Sequence, residues 1–318
     1  TPARLTVTEA ATVVSAAGHL RTHGMGGAAD WIEAYARFGF HPDAHRDLAS
    51  VHDRLGDLVL AGDDLEAARR HHGAAAAARR GLYGLYEGAW RQADEVGAEV
   101  SGDDAELLEA GRVFSASLRS LAVVEYLAGR HDEARALTAE ALAVTETLAA
   151  RVPADLETGR ELAAVHTEAA RLATAEGDLV GAGRHLGEAV AALRRVHRAA
   201  PDEPAVALAL VDALVRSGGN ARDRGGRADL EDAIDEAVAL VHTALAAPSV
   251  DPGVVPRVVN ALCLGAELAE SRGDPAGAES LLEESELRAL ALGEDTPVGW
   301  STTATVRVQL GDLRYREG

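Results

Sequence analysis

Seven of the twelve histidines lie between His19 and His72, so imidazole chemistry is the first possibility to weigh. His19 and His23 stand four residues apart, as do His41 and His45, with His52 seven further on. An i,i+4 pair on a helix can hold Zn²⁺, but a site needs a third ligand and partners that orient the rings. No His-Glu-x-x-His sequence supplies them, and His41 is turned away from helix by the following Pro42. No metal site is assigned. Paired carboxylates at Asp63-Asp64 and Asp103-Asp104 stand where helices should start, and there they cap rather than catalyse.

Other chemical signatures fail for want of a component. His45-Arg46-Asp47-Leu48 matches a kinase catalytic-loop tetrapeptide, yet the Asn required four residues after Leu48 is His52. Every basic residue among the 31 is Arg, which removes Schiff-base chemistry and any P-loop lysine. Gly218-Gly219 and Gly225-Gly226 lack the preceding strand and following Lys of a phosphate loop, and there is no G-x-S-x-G. No catalytic residue and no cofactor is assigned, and the chain is expected not to be an enzyme. Aromatic clusters are better candidates for recognition. Trp31, Tyr35 and Phe38 share a helical face, followed by Phe40, and fit the packing of an N-terminal cap. Tyr83, Tyr86 and Trp90 have similar spacing and are candidate binding residues.

Bulk composition narrows the partners. A net charge of −20 repels nucleic-acid phosphates and anionic membranes, so neither is expected, and any protein or peptide partner is expected to be basic. One cysteine, Cys263, excludes an intrachain disulfide and lies in an apolar run. No apolar stretch approaches the length of a membrane span, and no signal peptide opens the chain at Thr1; a cytoplasmic location is expected. Self-association is left open.

The elements that must position these residues announce themselves by repetition. Gly177, Gly225 and Gly273 are each 48 residues apart, in Glu176-Gly177-Asp178-Leu179, Arg224-Gly225-Gly226 and Arg272-Gly273-Asp274-Pro275. Pro153, Pro201 and Pro248 keep the same beat at 48 and 47 residues. Related turns sit at Gly62-Asp63 and Gly129-Arg130. A fixed period of this size, filled with Ala and Leu, marks stacked helical hairpins. Hairpins are expected over approximately 5–40, 42–80, 103–150, 154–200, 203–247 and 252–292, with a partial one at 297–318, forming a single array over 1–318. Between Gly62 and Gly129 the spacing stretches to 67 residues, which predicts an irregular insertion at 81–101. Ser217 to Ala228, rich in Gly and Arg, reads as a second looser place.

Leu55-Gly56 is followed by Ala68 and Ala75; Leu121-Ala122 by Ala134 and Ala141; Ala170 by Ala182 and Ala189; and Ala266 by Ala278. These offsets resemble the tetratricopeptide repeat, in divergent, long-helix form, as found in multidomain signalling proteins of high-GC bacteria. HEAT-like arrays share the general pattern. The resemblance implies an all-α, right-handed superhelical solenoid of antiparallel helical hairpins, with the first helix of each hairpin lining a concave groove. Carried over, groove positions are Ser50, Asp53, Asp57 and Leu60; Ala116, Arg119, Val123 and Tyr126; Ala164, Thr167, Arg171 and Thr174; and Asn260, Cys263, Glu267 and Glu270. Candidate binding residues are therefore Asp53, Asp57, Tyr83, Tyr86, Trp90, Arg119, Tyr126, Thr167, Arg171, Asn260 and Glu267. The lysine-based clamp for a C-terminal carboxylate is not reproduced. Gln309-Leu310-Gly311-Asp312 repeats the start of a hairpin and the register runs out at Gly318, which suggests a fragment of a larger protein. The expected function is a non-catalytic protein- or peptide-binding scaffold or sensor region of a regulatory protein. The alternative is a sensor that encloses a small molecule or peptide signal near Tyr83, Tyr86 and Trp90.

Overall fold

A computed structural model describes residues 42–95, 103–245, 253–293 and 296–317. The expected opening hairpin at 5–40, with Trp31, Tyr35, Phe38, Phe40, His19 and His23, lies outside the described residues, as does His41. Among the described residues the regular structure is helical: α1 (Pro42–Ala61), α2 (Leu65–Glu95), α3 (Asp103–Leu127), α4 (His131–Arg151), α5 (Leu156–Ala175), α6 (Leu179–Ala199), α7 (Pro204–Asp223), α8 (Arg227–Thr243), α9 (Val255–Ser271), α10 (Pro275–Leu290) and α11 (Pro297–Glu317). Contacts divide the chain into two compact units, 1–161 and 162–318, with the division inside α5.

The helices begin and end where backbone chemistry requires. Five hairpin turns carry a residue at positive φ: Asp63 at 62°, Gly129 at 76°, Gly177 at 81°, Gly225 at 77° and Gly273 at 78°. In this left-handed region a Cβ is strained, so glycine suits it and Asp is among the few tolerated alternatives. Asp63, not Gly62, therefore holds the turn position in the first hairpin. The next residue then donates its N–H five residues back: Asp64 to Val59 at 3.0 Å, Arg130 to Glu125 at 2.8 Å, Asp178 to Ala173 at 2.9 Å, Gly226 to Ala221 at 2.8 Å and Asp274 to Ala269 at 3.0 Å. Where that residue is Asp it also opens the following helix. Asp64 accepts from Ala67 N–H at 2.9 Å, Asp178 from Gly181 at 2.8 Å and Asp274 from Gly277 at 2.9 Å. One residue thus closes one helix with its backbone N–H and caps the next with its side chain.

Antiparallel neighbours then pack through small residues. Ala68, Ala75, Ala122, Ala134, Ala141, Ala170, Ala182, Ala189, Ala266 and Ala278 are all buried. Alanine at these positions lets helix backbones approach closely. In the first unit α1 packs on α2, α2 on α3 and α3 on α4, around Leu82, Phe114, Leu118 and Leu148. In the second unit α5 and α6 meet at Ala170, Ala182 and Leu186, and successive neighbours from α6 to α11 pack on one another. There the first helices also touch in succession, α7 with α9 and α9 with α11.

Two sequence expectations are corrected. Residues 81–95 are not an irregular insertion: they continue α2, which reaches 31 residues. Burial of Leu82 and Tyr83 holds the helix through Gly81, Gly84 and Gly88, so tertiary packing overrides glycine's weak helix propensity. Likewise 217–223 belongs to α7, because Gly218 fits against α8: a Cβ there would meet Ile234 and Leu230 at 3.2 Å.

Replacing Gly177 or Gly273 with Ala should cost about 1–2 kcal/mol by forcing a Cβ into the left-handed region. Asp274→Ala should cost about 1 kcal/mol through the lost cap. Urea unfolding followed by circular dichroism checks both, and unchanged midpoints would contradict the turn account.

Candidate functional site

The second unit holds a groove of about 440 Å³ with walls from α5 and α7 and Leu186 of α6. Thr167, Arg171 and Thr174 face it from α5, and Arg216, Gly219 and Asn220 from α7. Their placement follows from helix periodicity: 167, 171 and 174 fall on one face of α5, and 216, 219 and 220 on one face of α7. Asn220 is buried and fixed; its amide donates to Leu179 C=O at 3.0 Å and its oxygen accepts from Arg224 Nε at 2.9 Å. Arg171 grips Glu168 with Nε at 3.0 and 3.1 Å from the two carboxylate oxygens. Arg216 is exposed and acts electrostatically on Asp212, as Arg257 does from 3.2 Å; burial nevertheless pushes the Asp212 carboxyl above the usual range.

Gly219 lines the groove without a side chain. A helix-interior glycine costs roughly 1 kcal/mol relative to Ala. Gly218 is required by its contact with α8, but a Cβ on Gly219 would meet nothing within 4 Å. Its missing side chain leaves the groove floor open.

A smaller cavity of about 110 Å³ lies between α9 and α11. Glu267, Glu270 and Asp312 make it acidic, with Gln309 and Arg316 beside them. Gln309 Nε2 donates to Glu267 at 3.2 Å, and Arg316 lies 2.6 Å from Glu270. Cys263 also lines it; burial pushes its thiol pKa up, and its Sγ lies 3.9 Å from Ser285 Oγ.

In the first unit, His72 of α2 is buried over Gly56 of α1. Its Nδ1 lies 3.5 Å from Asp53 and its Nε2 3.6 Å from Asp57. A Cβ on Gly56 would lie 2.6 Å from that ring, so the glycine is the space the histidine occupies. Two further imidazole contacts join facing helices, His52 with His71 and His166 with His185, at Nδ1–Nδ1 distances of 3.0 and 3.2 Å. Among the described residues no group of three or more His, Cys, Asp or Glu could hold a metal ion.

No known protein-family pattern matches the chain, and no curated protein does. Among solved structures, the hypoxic regulator of sterol synthesis Nro1 is similar over 86% of this chain and 83% of its own, at 13% identity and a TM-score of 0.55. BtubC from P. vanneervenii covers 80% and 94% at 15% identity, with a TM-score of 0.45. A Rap protein complexed with Competence and Sporulation Factor covers 91% and 80% at 13% identity, with a TM-score of 0.35. The fold is a tetratricopeptide-like helical repeat. The repeated hairpin turns and the buried alanines of the hairpin seams carry that statement.

The tetratricopeptide-like register places the expected residues unevenly. Thr167 and Arg171 line the α5–α7 groove, and Glu267 lines the α9–α11 cavity, while Asn260 is exposed on α9. In the first unit the same register leads inward. Asp53 pairs with Arg79, which also reaches Ser117; Asp57 is exposed beside His72. Arg119 clasps Glu161 at 2.9 and 3.1 Å. Tyr126 lies edge-on to His131, with ring centroids 5.0 Å apart. Tyr83 is buried and stacked on Phe114 at 5.8 Å, so its ring serves packing; Tyr86 accepts from Arg46 at 3.1 Å. Trp90 belongs to α2, and its side chain lies outside the described residues.

Sequence reasoning missed Arg216, Gly219 and Asn220, which came from a segment read as loose turn. It also looked for histidine pairs four apart along one helix, whereas the pairs are 19 apart across two. The repeated interval of 19 was the available signal.

Gly56→Ala should destabilise the protein by about 1–3 kcal/mol through overpacking against His72. Combining it with His72→Ala should cost less than the sum of the single changes, as chemical denaturation of all three variants would show. Strict additivity would contradict the contact.

Proposed function

We propose that the protein is a non-catalytic scaffold or sensor region of a larger regulatory protein, and that it recognises an extended peptide segment of a protein partner. The α5–α7 groove, with its open floor at Gly219, carries this reading. Arginine and threonine side chains around a fixed amide offer hydrogen bonds and charge to a passing backbone and to an acidic or amide side chain. The acidic α9–α11 cavity in the same unit suits a basic residue of that segment, in keeping with the net charge of −20. Nro1, which is similar in fold, is described as a nuclear import adaptor, and that likeness supports the reading at the level of fold. The ion pairs and buried carboxylates found among the described residues have structural roles, which supports a non-catalytic reading.

A random peptide library displayed on phage tests the proposal. The wild-type chain should enrich peptides, and Gly219→Leu should weaken the binding of those peptides at least about tenfold, the loss expected of a filled pocket. Gly187→Leu is the control, since Gly187 is an exposed helical glycine on α6 with open space around it. Both replacements remove a helix-interior glycine and should preserve thermal stability. No enrichment by the wild type, or equal binding by Gly219→Leu, would sink the reading.

A further inference from the structure

Two imidazole contacts recur with one geometry and take no part in the groove. Besides their nitrogen separations of 3.0 and 3.2 Å, the His52–His71 and His166–His185 rings have centroids 5.2 and 5.5 Å apart and the same interplanar angle of 38°. Each pair joins the two helices of a hairpin, 11 residues before and 8 after the positive-φ residue, Asp63 or Gly177. At those offsets the remaining hairpins carry Leu118 and Leu137, Leu214 and Ala233, and Leu262 and Leu281. Imidazoles therefore stand in a seam that is elsewhere apolar. His52, His71 and His166 are buried, and His185 is half-buried.

Such a contact needs one nitrogen to donate and the other to accept. Full protonation would set two N–H groups head on and bury two like charges. His166 shows the consequence: burial first, then the charge of His185, hold its pKa down to about 4, against an opposing pull from Glu188 of α6. On α7, which packs on α6, Arg216 and Asp223 line the groove, and Asp212 is engaged by Arg257. Around the first pair, α1 contributes Asp53, Asp57 and Arg46, which reaches Tyr86 of α2; α2 contributes His72, Arg69 and Arg79; and α3 contributes Glu125. Asp53 is already engaged by Arg79, and Glu125 by Arg69 and Arg130.

We propose that the two histidine contacts are acid-sensitive latches, so that hairpins α1–α2 and α5–α6 open on acidification before the hairpins whose seams carry leucine. The direction follows from linkage. The closed hairpin holds His166 neutral down to about 4, whereas in the open chain it takes a proton near its ordinary 6.5. The stability is therefore fully present above about 6.5 and is lost progressively as the pH falls towards 4. Between about pH 7.5 and pH 5 the open population of α5–α6 should grow roughly 30-fold. Since α5 also carries Thr167 and Arg171, opening would deform the peptide groove. The latch itself does not depend on that groove binding anything.

Hydrogen exchange by mass spectrometry on the full chain, at about pH 7.5 and about pH 5 with intrinsic rates corrected, tests the proposal. Amides of α5–α6 should lose protection at the lower pH by roughly the factor given above, those of α1–α2 should also lose protection, and those of α9–α10 should not. The pairs His52→Leu with His71→Leu, and His166→Leu with His185→Leu, should each abolish the loss in its own hairpin. Uniform loss in all hairpins, or leucine variants that respond like the wild type, would overturn it. A nuclear magnetic resonance titration of His166 in the wild type needs no variant: a midpoint below about 5 supports the latch, and one at about 6.5 or above refutes it.

Discussion

The structure depends on a chain reversal that is built the same way five times. A residue at positive φ ends the first helix, and the next residue returns its N–H to a carbonyl five residues back. This bond satisfies a carbonyl the helix would otherwise leave open and points the chain back along the helix it has left. At Asp64, Asp178 and Asp274 the same residue supplies the cap of the second helix, so no linker intervenes between two antiparallel helices. The fixed reversal keeps the helices in register, and register is what allows small residues to meet small residues at each seam.

Close approach in turn decides what side chains do. Where the seam holds Ala, backbones pack against each other; where it holds Gly, a larger neighbour moves in, His72 over Gly56 and Ile234 against Gly218. At Gly219, as at Gly73 and Gly187, no neighbour fills the space, and here the opening is part of a groove. Charged residues then sort by depth. Arg79 with Asp53, and Arg119 with Glu161, tie helices of the first unit together at partly buried positions, where screening by water is weaker. Exposed pairs such as Arg314 with Glu279 and Glu283 contribute little to stability.

Putting histidine into an apolar seam changes the response of a hairpin without changing its shape. At neutral pH an imidazole pair fills the seam and pairs its two Nδ1 atoms. The α5–α6 hairpin combines such a seam with one wall of the groove, and Ala170 and Leu186 belong to both.

The fold was legible because its determinants are local or strictly periodic. Gly177, Gly225 and Gly273 marked the turns because left-handed backbone excludes most other residues, and the 48-residue beat of glycines and prolines implied repeated hairpins. Helices α5 and α6 fall within the hairpin expected at 154–200 for that reason. Continuity through Gly81–Gly88 and Gly218–Gly219 was not legible, because glycine argues locally against helix and only burial of Leu82, Tyr83 and Gly218 outweighs it. The candidate site divides along the same line. Helical register was enough to put Thr167, Arg171 and Glu267 beside cavities, but it could not tell that Asp53 and Arg119 are consumed by Arg79 and Glu161, since those partners lie 26 and 42 residues away. The sequence by itself determined the turns, the caps and the small-residue seams, which act within a few residues of one another. Tertiary structure alone decided which glycine is filled and which is open, and which histidines meet, because those outcomes depend on atoms that only packing brings together.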